Sequence, residues 1–201
     1  MYYVLIDNGH GVAKAGKRSP VLADGTQLRE YKFARIIAGR LKEELAGIDG
    51  ITPVLITPEE CDISLKERCK RINKYCDEHG SRNCLVVSIH NNACGNGSSW
   101  CNAHGWAAYV SKNASNRSKK LATALAVAAG NQGLKVRLYK PGQMYWQQNL
   151  AICRDTKCAA VLTENLFMDN IRDCRFLLSK VGEDTIVKLH KQGIINYVKG
   201  L

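Results

Sequence analysis

The chain has 201 residues, 45% of them hydrophobic and only four of them proline, which excludes a disordered segment and suits one sizeable core. Lys and Arg number 29 against 18 Asp and Glu, a net charge of +11, so the surface favours a polyanion such as nucleic acid, anionic lipid or a bacterial wall polymer. The longest apolar run, LATALAVAA at 121–129, is too short to cross a bilayer, so no membrane insertion is expected.

The first predicted element is a strand, YYVLID at 2–7, which ends in Asn8, Gly9, His10 and Gly11. The opening MYYVLIDNGHG has no basic stretch and its apolar run is short, so no leader is read. The expectation is synthesis in the cytoplasm with departure by a route not encoded here, or a leader already removed. A loop spans 11–27, and a helix follows over 27–46 with Phe33, Ile37, Leu41 and Leu45 on one face. Glu30 is in register with that face, where an unpaired charge is costly, so it must be paired, capped or bound to a metal. A strand at 52–56 leads to a helix at 64–79, opened by the capping box SLKE, stopped by Gly80 and striped with Leu65, Cys69, Ile72 and Cys76.

CLVVSI at 84–89 is the third strand and runs into His90, Asn91 and Asn92. After a loop at 91–104 come a strand at 105–110, a helix at 115–129, a strand at 134–139 and a loop at 140–149. The last strand, AAVLTE at 159–164, ends at Glu164, and a helix covers about 183–199. Continuously apolar strands alternating with helices predict one α/β domain. Its sheet would be mainly parallel and twisted, with about six strands and helices on both faces. No linker is visible, so residues 1–201 read as a single catalytic domain without a separate wall-binding domain.

Nine cysteines without a CxxC pair argue against a disulfide framework or a zinc ribbon, and most read as buried thiols. Cys94 and Cys101 share a loop and form the one pair worth testing for a disulfide or a second metal.

Three strands therefore finish in His10, His90 and Glu164, and ligands in open α/β sheets bind outside the carboxyl ends of strands. Two histidines and a carboxylate form a common catalytic zinc set with a fourth position open. A further carboxylate, Glu164, is placed to move the proton of an activated water. Singly, His10 also reads as a turn histidine, His90 as a core histidine, Glu30 as a helix-end acid and Glu164 as a capping acid; the joint pattern favours a metal site. His79 and His190 read as structural.

DNGHG at 7–11, Glu30, SIHNNA at 88–93 and LTENLFMDN at 162–170 resemble the zinc-dependent N-acetylmuramoyl-L-alanine amidases of the amidase-3 type, in order and over nearly the whole chain. The resemblance implies His10, Glu30 and His90 as zinc ligands, Glu164 as catalytic acid/base, and peptidoglycan, both stem peptide and glycan, as substrate. Val12 and Leu166 stand where the family usually has glycine, and the stretch from His10 to Glu30 is longer than expected. Asn92, His104, Arg154 and Trp146 are substrate-binding candidates, with Trp100 and Tyr145 beside them in long loops. Lys14, Lys17 and Arg18 are placed to steer an acidic substrate.

The resemblance also suggests a monomer acting on the wall in the manner of an endolysin. A zinc peptidase shares the metal chemistry and differs only in substrate. A nucleic-acid-binding protein would explain the charge but not the strand ends, and no RNA-recognition, zinc-finger or helix-turn-helix signature is present. A catalytically inactive binding module is disfavoured because all four site residues are present.

Overall fold

A computed structural model describes residues 1–12 and 17–200. In order the elements are β1 (Tyr2–Asn8), α1 (Glu30–Leu45), β2 (Ile51–Leu55), α2 (Leu65–His79), β3 (Cys84–Asn92), β4 (Ala107–Val110), α3 (Asn116–Asn131), β5 (Trp146–Gln147), α4 (Ala151–Arg154), β6 (Ala159–Phe167), α5 (Ile171–Leu177) and α6 (Lys180–Lys199). The six strands form one sheet in the order β2-β1-β3-β6-β4-β5. β2, β1, β3 and β6 run parallel, β4 is antiparallel to β6, and β5 is parallel to β4. This is the expected mainly parallel α/β fold.

The continuous apolar runs have a direct cause: both faces of the sheet are covered. Val4, Ile6, Val87, Ile89 and Val161 pack under α1, α3 and α6, while Leu5, Val86, Ala160 and Leu162 pack against α2 and α4. Cys69, Cys76, Cys84, Cys153 and Cys158 fill that second layer as buried free thiols. Hydroxyl caps start three of the helices: Ser64 accepts from the Glu67 N–H, Ser115 from Ser118 and Ser179 from Gly182. Such caps stabilise a helix by about 1 kcal/mol each. The Glu67 carboxylate of the predicted capping box turns to Arg71.

Two expectations need correction. Residues 134–139 are not a strand; Val136 makes a single bridge to Trp106. The place beside β4 goes to Trp146 and Gln147, because the Trp146 indole stacks on Tyr109 and donates to the Arg137 carbonyl. The second correction concerns α2: Leu65 is exposed and Arg68 is buried, so the inner face of α2 carries a charge. Lys14 lies outside the described residues.

Candidate metal centre

β1 delivers its last residues to the carboxyl edge of the sheet, where the chain makes a tight reversal. His10 has φ 61, in the left-handed region that non-glycine residues seldom occupy. Its flanking glycines are required by close approach. A Cβ on Gly9 would stand 2.2 Å from the His90 imidazole, and one on Gly11 would stand 2.3 Å from the Asp62 backbone. Gly-His-Gly thus threads a histidine between a second histidine and a neighbouring loop.

A guanidinium holds this turn from below. Arg68 Nη1 donates to Asp7 Oδ1 at 2.6 Å and to the Asn8 carbonyl at 2.8 Å, and Nη2 reaches the His10 carbonyl at 3.4 Å. Asp7 Oδ2 accepts from the Ser88 hydroxyl of β3 at 2.5 Å. Asp7 and Arg68 are both 2% exposed, so each charge depends on the other.

Glu30 begins α1 and is 1% exposed. Its Oε1 accepts from the Asn91 N–H at 3.1 Å and lies 3.0 Å from His90 Nδ1. Its Oε2 lies 3.3 Å from His10 Nε2 without hydrogen-bond alignment, and has no hydrogen-bond partner. Burial raises the Glu30 carboxyl, but the contacts with His10 and His90 outweigh it and hold the group well below the usual carboxylate range. Burial alone would lower His90; the Glu30 carboxylate beside it raises it instead. The two imidazoles meet edge-on with centroids 4.8 Å apart, each side chain 16% exposed. One donor atom from each of His10, Glu30 and His90 lies within 4.8 Å of the other two.

β6 lies beside β3, with Glu164 opposite His90 in the parallel register. Glu164 Oε2 is buried without a hydrogen-bond partner. Burial pushes the Glu164 carboxyl up to about 7, and the charge of His90 offsets this only in part. Just beyond it β6 carries one extra residue relative to β3, and Leu166 within that irregularity has φ 66. The glycine usual at this position in the resembled family would adopt that conformation without strain. His10, His90 and Glu164 line a cleft of about 290 Å³ whose other walls include Lys17, Asp62, Leu65, Arg68 and Leu150. The cleft supplies two imidazoles and the Glu164 carboxyl, and the buried Glu30 carboxylate backs both imidazoles, a set suited to holding a borderline metal ion and moving a proton.

The family model described as N-acetylmuramoyl-L-alanine amidase matches residues 4–196. The chain belongs to this amidase family. An endolysin of Bacillus phage SPP1 is 26% identical over 191 residues, which are 95% of this chain and 64% of the phage protein. The chain therefore spans less than two thirds of that relative's length. An amidase from Clostridium difficile 630 has the same fold, with TM-score 0.82 at 24% identity over 98% of this chain and 97% of that one. The catalytic domain of CwlV from Bacillus (Paenibacillus) polymyxa var. colistinus superposes at TM-score 0.79 and 22% identity, covering 99% of both chains.

The other candidates of the amidase reading are not among the residues that line the cleft. Asn92 uses its side-chain oxygen on the Ala93 N–H. His104 is exposed beside Asn102 and Lys135, and lines a separate groove with Trp100 and Cys101. Arg154 is exposed and clamps Asp155 through two bonds of 2.7 Å. Trp146 joins Tyr109, Tyr139 and Arg137 at the sheet edge, two strands from Glu164. Lys17 does line the cleft, and its carbonyl accepts the Glu30 N–H at 3.1 Å.

Sequence reasoning missed Asp7 and Arg68. The signal was available: Arg68 falls in register with Ile72 and Cys76, as Glu30 does with Phe33 and Ile37. Behind the cleft, Asn165 ties the His90 carbonyl, Thr163 and the Trp106 indole together. His190 closes this buried network. Its Nδ1 donates to the Ile186 carbonyl at 2.7 Å, and its Nε2 lies 3.0 Å from the Thr163 hydroxyl.

Proposed function

We propose that the chain is a zinc-dependent hydrolase of peptidoglycan that cuts the amide between the lactyl group of N-acetylmuramic acid and the L-alanine of the stem peptide. The observation that carries this reading is the meeting of His10, Glu30 and His90 at a cleft that His10 and His90 line together with Glu164. Membership of the amidase family supports the substrate class. The donor set fits zinc, and the fit rests on the unpartnered Glu30 Oε2 aimed among two imidazoles. A zinc ion held by these three residues would supply a Lewis acid and lower the pKa of a water to about 7.

The chain's own groups do the rest. A carboxyl poised near 7 accepts a proton and returns it with little loss, so Glu164 takes the proton of the attacking water and passes it to the leaving nitrogen. The Asp7–Arg68 pair fixes the His10 turn, and Ser88 keeps Asp7 in place. Lys17 on the rim and the net charge of +11 favour the carboxylates of stem peptides. Among the described residues no helix is long and apolar enough to cross a membrane. We read the protein as a monomer that acts on the wall in the manner of an endolysin, with peptidoglycan and not nucleic acid as partner.

The deciding experiment is digestion of purified peptidoglycan before and after chelation, with products identified by mass spectrometry. Stem peptides with a free L-alanine amino group, lost on chelation and restored by zinc, are expected. Cuts within the stem peptide would instead make the protein a zinc peptidase.

A further inference from the structure

The loop after β3 carries a second cluster that the amide-cleaving site does not use. Cys94 Sγ and Cys101 Sγ lie 2.6 Å apart, well inside the ordinary contact distance of two unbonded sulfurs. The backbone holding them is fixed on both sides. Asp169, fully buried, accepts the N–H groups of Cys94 at 2.7 Å and Gly95 at 2.9 Å through Oδ2. Its carbonyl accepts the Cys101 N–H at 2.7 Å, and the Asn170 amide donates to the Cys101 carbonyl at 3.1 Å. Cys94 is exposed and Cys101 partly so, and neither is in a disulfide.

We infer that Cys94 and Cys101 are an oxidisable pair, a modification site at which a small-molecule disulfide closes the 94–101 loop into a covalent ring. A metal is the weaker occupant for this geometry. Two thiolates on one tetrahedral zinc, with bonds of about 2.3 Å, stand about 3.8 Å apart. Asp169 already spends its Oδ2 on two backbone donors, and among the described residues no fourth histidine, cysteine or carboxylate belongs to the cluster.

The chemistry balances with a disulfide RSSR as oxidant. The Cys94 thiolate attacks one sulfur of RSSR, forming a mixed disulfide and expelling RS⁻. The Cys101 sulfur then attacks Cys94 Sγ, forming the Sγ–Sγ bond and expelling the second RS⁻. The two cysteine protons end on the released thiols, and two electrons pass to the oxidant. Cys94 attacks first because burial and its hydrogen bond to Cys94 push the Cys101 thiol up to about 12.

The ring would also fix a wall of the cleft. Gly97, at φ 82, lies so close to the Arg18 carbonyl that a Cβ there would stand 2.2 Å from it. Arg18 follows Lys17, which lines the cleft and accepts the Glu30 N–H.

The test is to incubate the full chain with oxidised glutathione and follow intact mass, thiol alkylation and melting temperature. The expected product has lost two hydrogen atoms, apart from any glutathione taken up by the exposed Cys61, yields a peptide linked through Cys94 and Cys101, and melts about 5–10 °C higher. Dithiothreitol should reverse all three. Cys94→Ser and Cys101→Ser should each fold, keep the lower melting temperature and take up at most a single glutathione at the remaining thiol. Cys94 and Cys101 still fully alkylated after oxidation would overturn the proposal. So would a link formed elsewhere, or one stoichiometric metal ion bound by the wild type and not by Cys94→Ser.

Discussion

The two clusters differ in how their carboxylates are used. Each gathers three candidate ligand atoms within 4.8 Å. Glu30 is supplied by α1 to histidines from two other segments, and one of its buried oxygens has no hydrogen-bond partner. Asp169 is matched on one oxygen by two backbone N–H groups and faces the Cys101 thiol with the other. Counting donors therefore does not find a cation site. An incompletely satisfied buried carboxylate does, because such an atom is tolerated where something else will bind it. Among the described residues, the buried side-chain atoms without a hydrogen-bond partner are in Asn8, Glu30, Arg35, Asn91 and Glu164, and of these Glu164 lines the cleft while Glu30 contacts both of its histidines.

The contrast is broken most strongly at the carboxyl proposed to move the proton. Glu164→Gln should lower amide cleavage by about 10²–10⁴-fold while zinc affinity, measured by competition with a chromophoric chelator, stays within a few-fold. Loss of zinc binding instead would make Glu164 a ligand. Arg68→Met leaves Asp7 charged and buried, so urea denaturation should show a loss of about 3–5 kcal/mol. Double replacement of Asp7 and Arg68 by apolar residues should cost less than Arg68→Met alone.

A pH series comes next. Burial holds His190 down to about 4, against an ordinary value near 6.5. Below pH 6.5 the unfolded chain binds a proton at His190 that the folded chain refuses, so the His190 contribution to stability falls with pH down to about 4, opposite in sign to that of Glu164, whose raised carboxyl takes up its proton first in the folded chain. The full loss is about 3 kcal/mol. His190→Leu should flatten that slope in urea titrations between pH 7 and 4.5. The smallest effect belongs to the other cluster. Cys101→Ser should leave zinc affinity at the His10 set unchanged within about twofold, as expected for sites that share no ligand. A tenfold drop would mean that the two clusters are one system.

How far these features were legible depends on what encodes them. His10, His90 and Glu164 end apolar strands, and Glu30 interrupts a helical stripe; both signals are local, and the expected carboxyl-edge cluster is where these side chains meet. Arg68 follows the same rule as Glu30 and was hidden by a stripe that looked complete with Leu65. Trp146 and residues 134–139 exchanged roles because aromatic stacking on Tyr109, not alternation, decides which segment joins β4. Asn92, His104 and Arg154 sit in or beside loops whose direction is set by partners distant in sequence, such as Lys135 for His104.

The strand order has a consequence for synthesis. β6 lies between β3 and β4 although it is the last strand made, and β5 pairs only with β4. A chain still emerging from the ribosome has His10, Glu30 and His90 early, yet β4 and β5 have no sheet to join until residues 159–167 arrive. Those residues bring Glu164. Completion of the sheet and arrival of the proposed proton-transfer group are thus a single event, and a nascent chain that lacks its last fifth carries the proposed ligands without it.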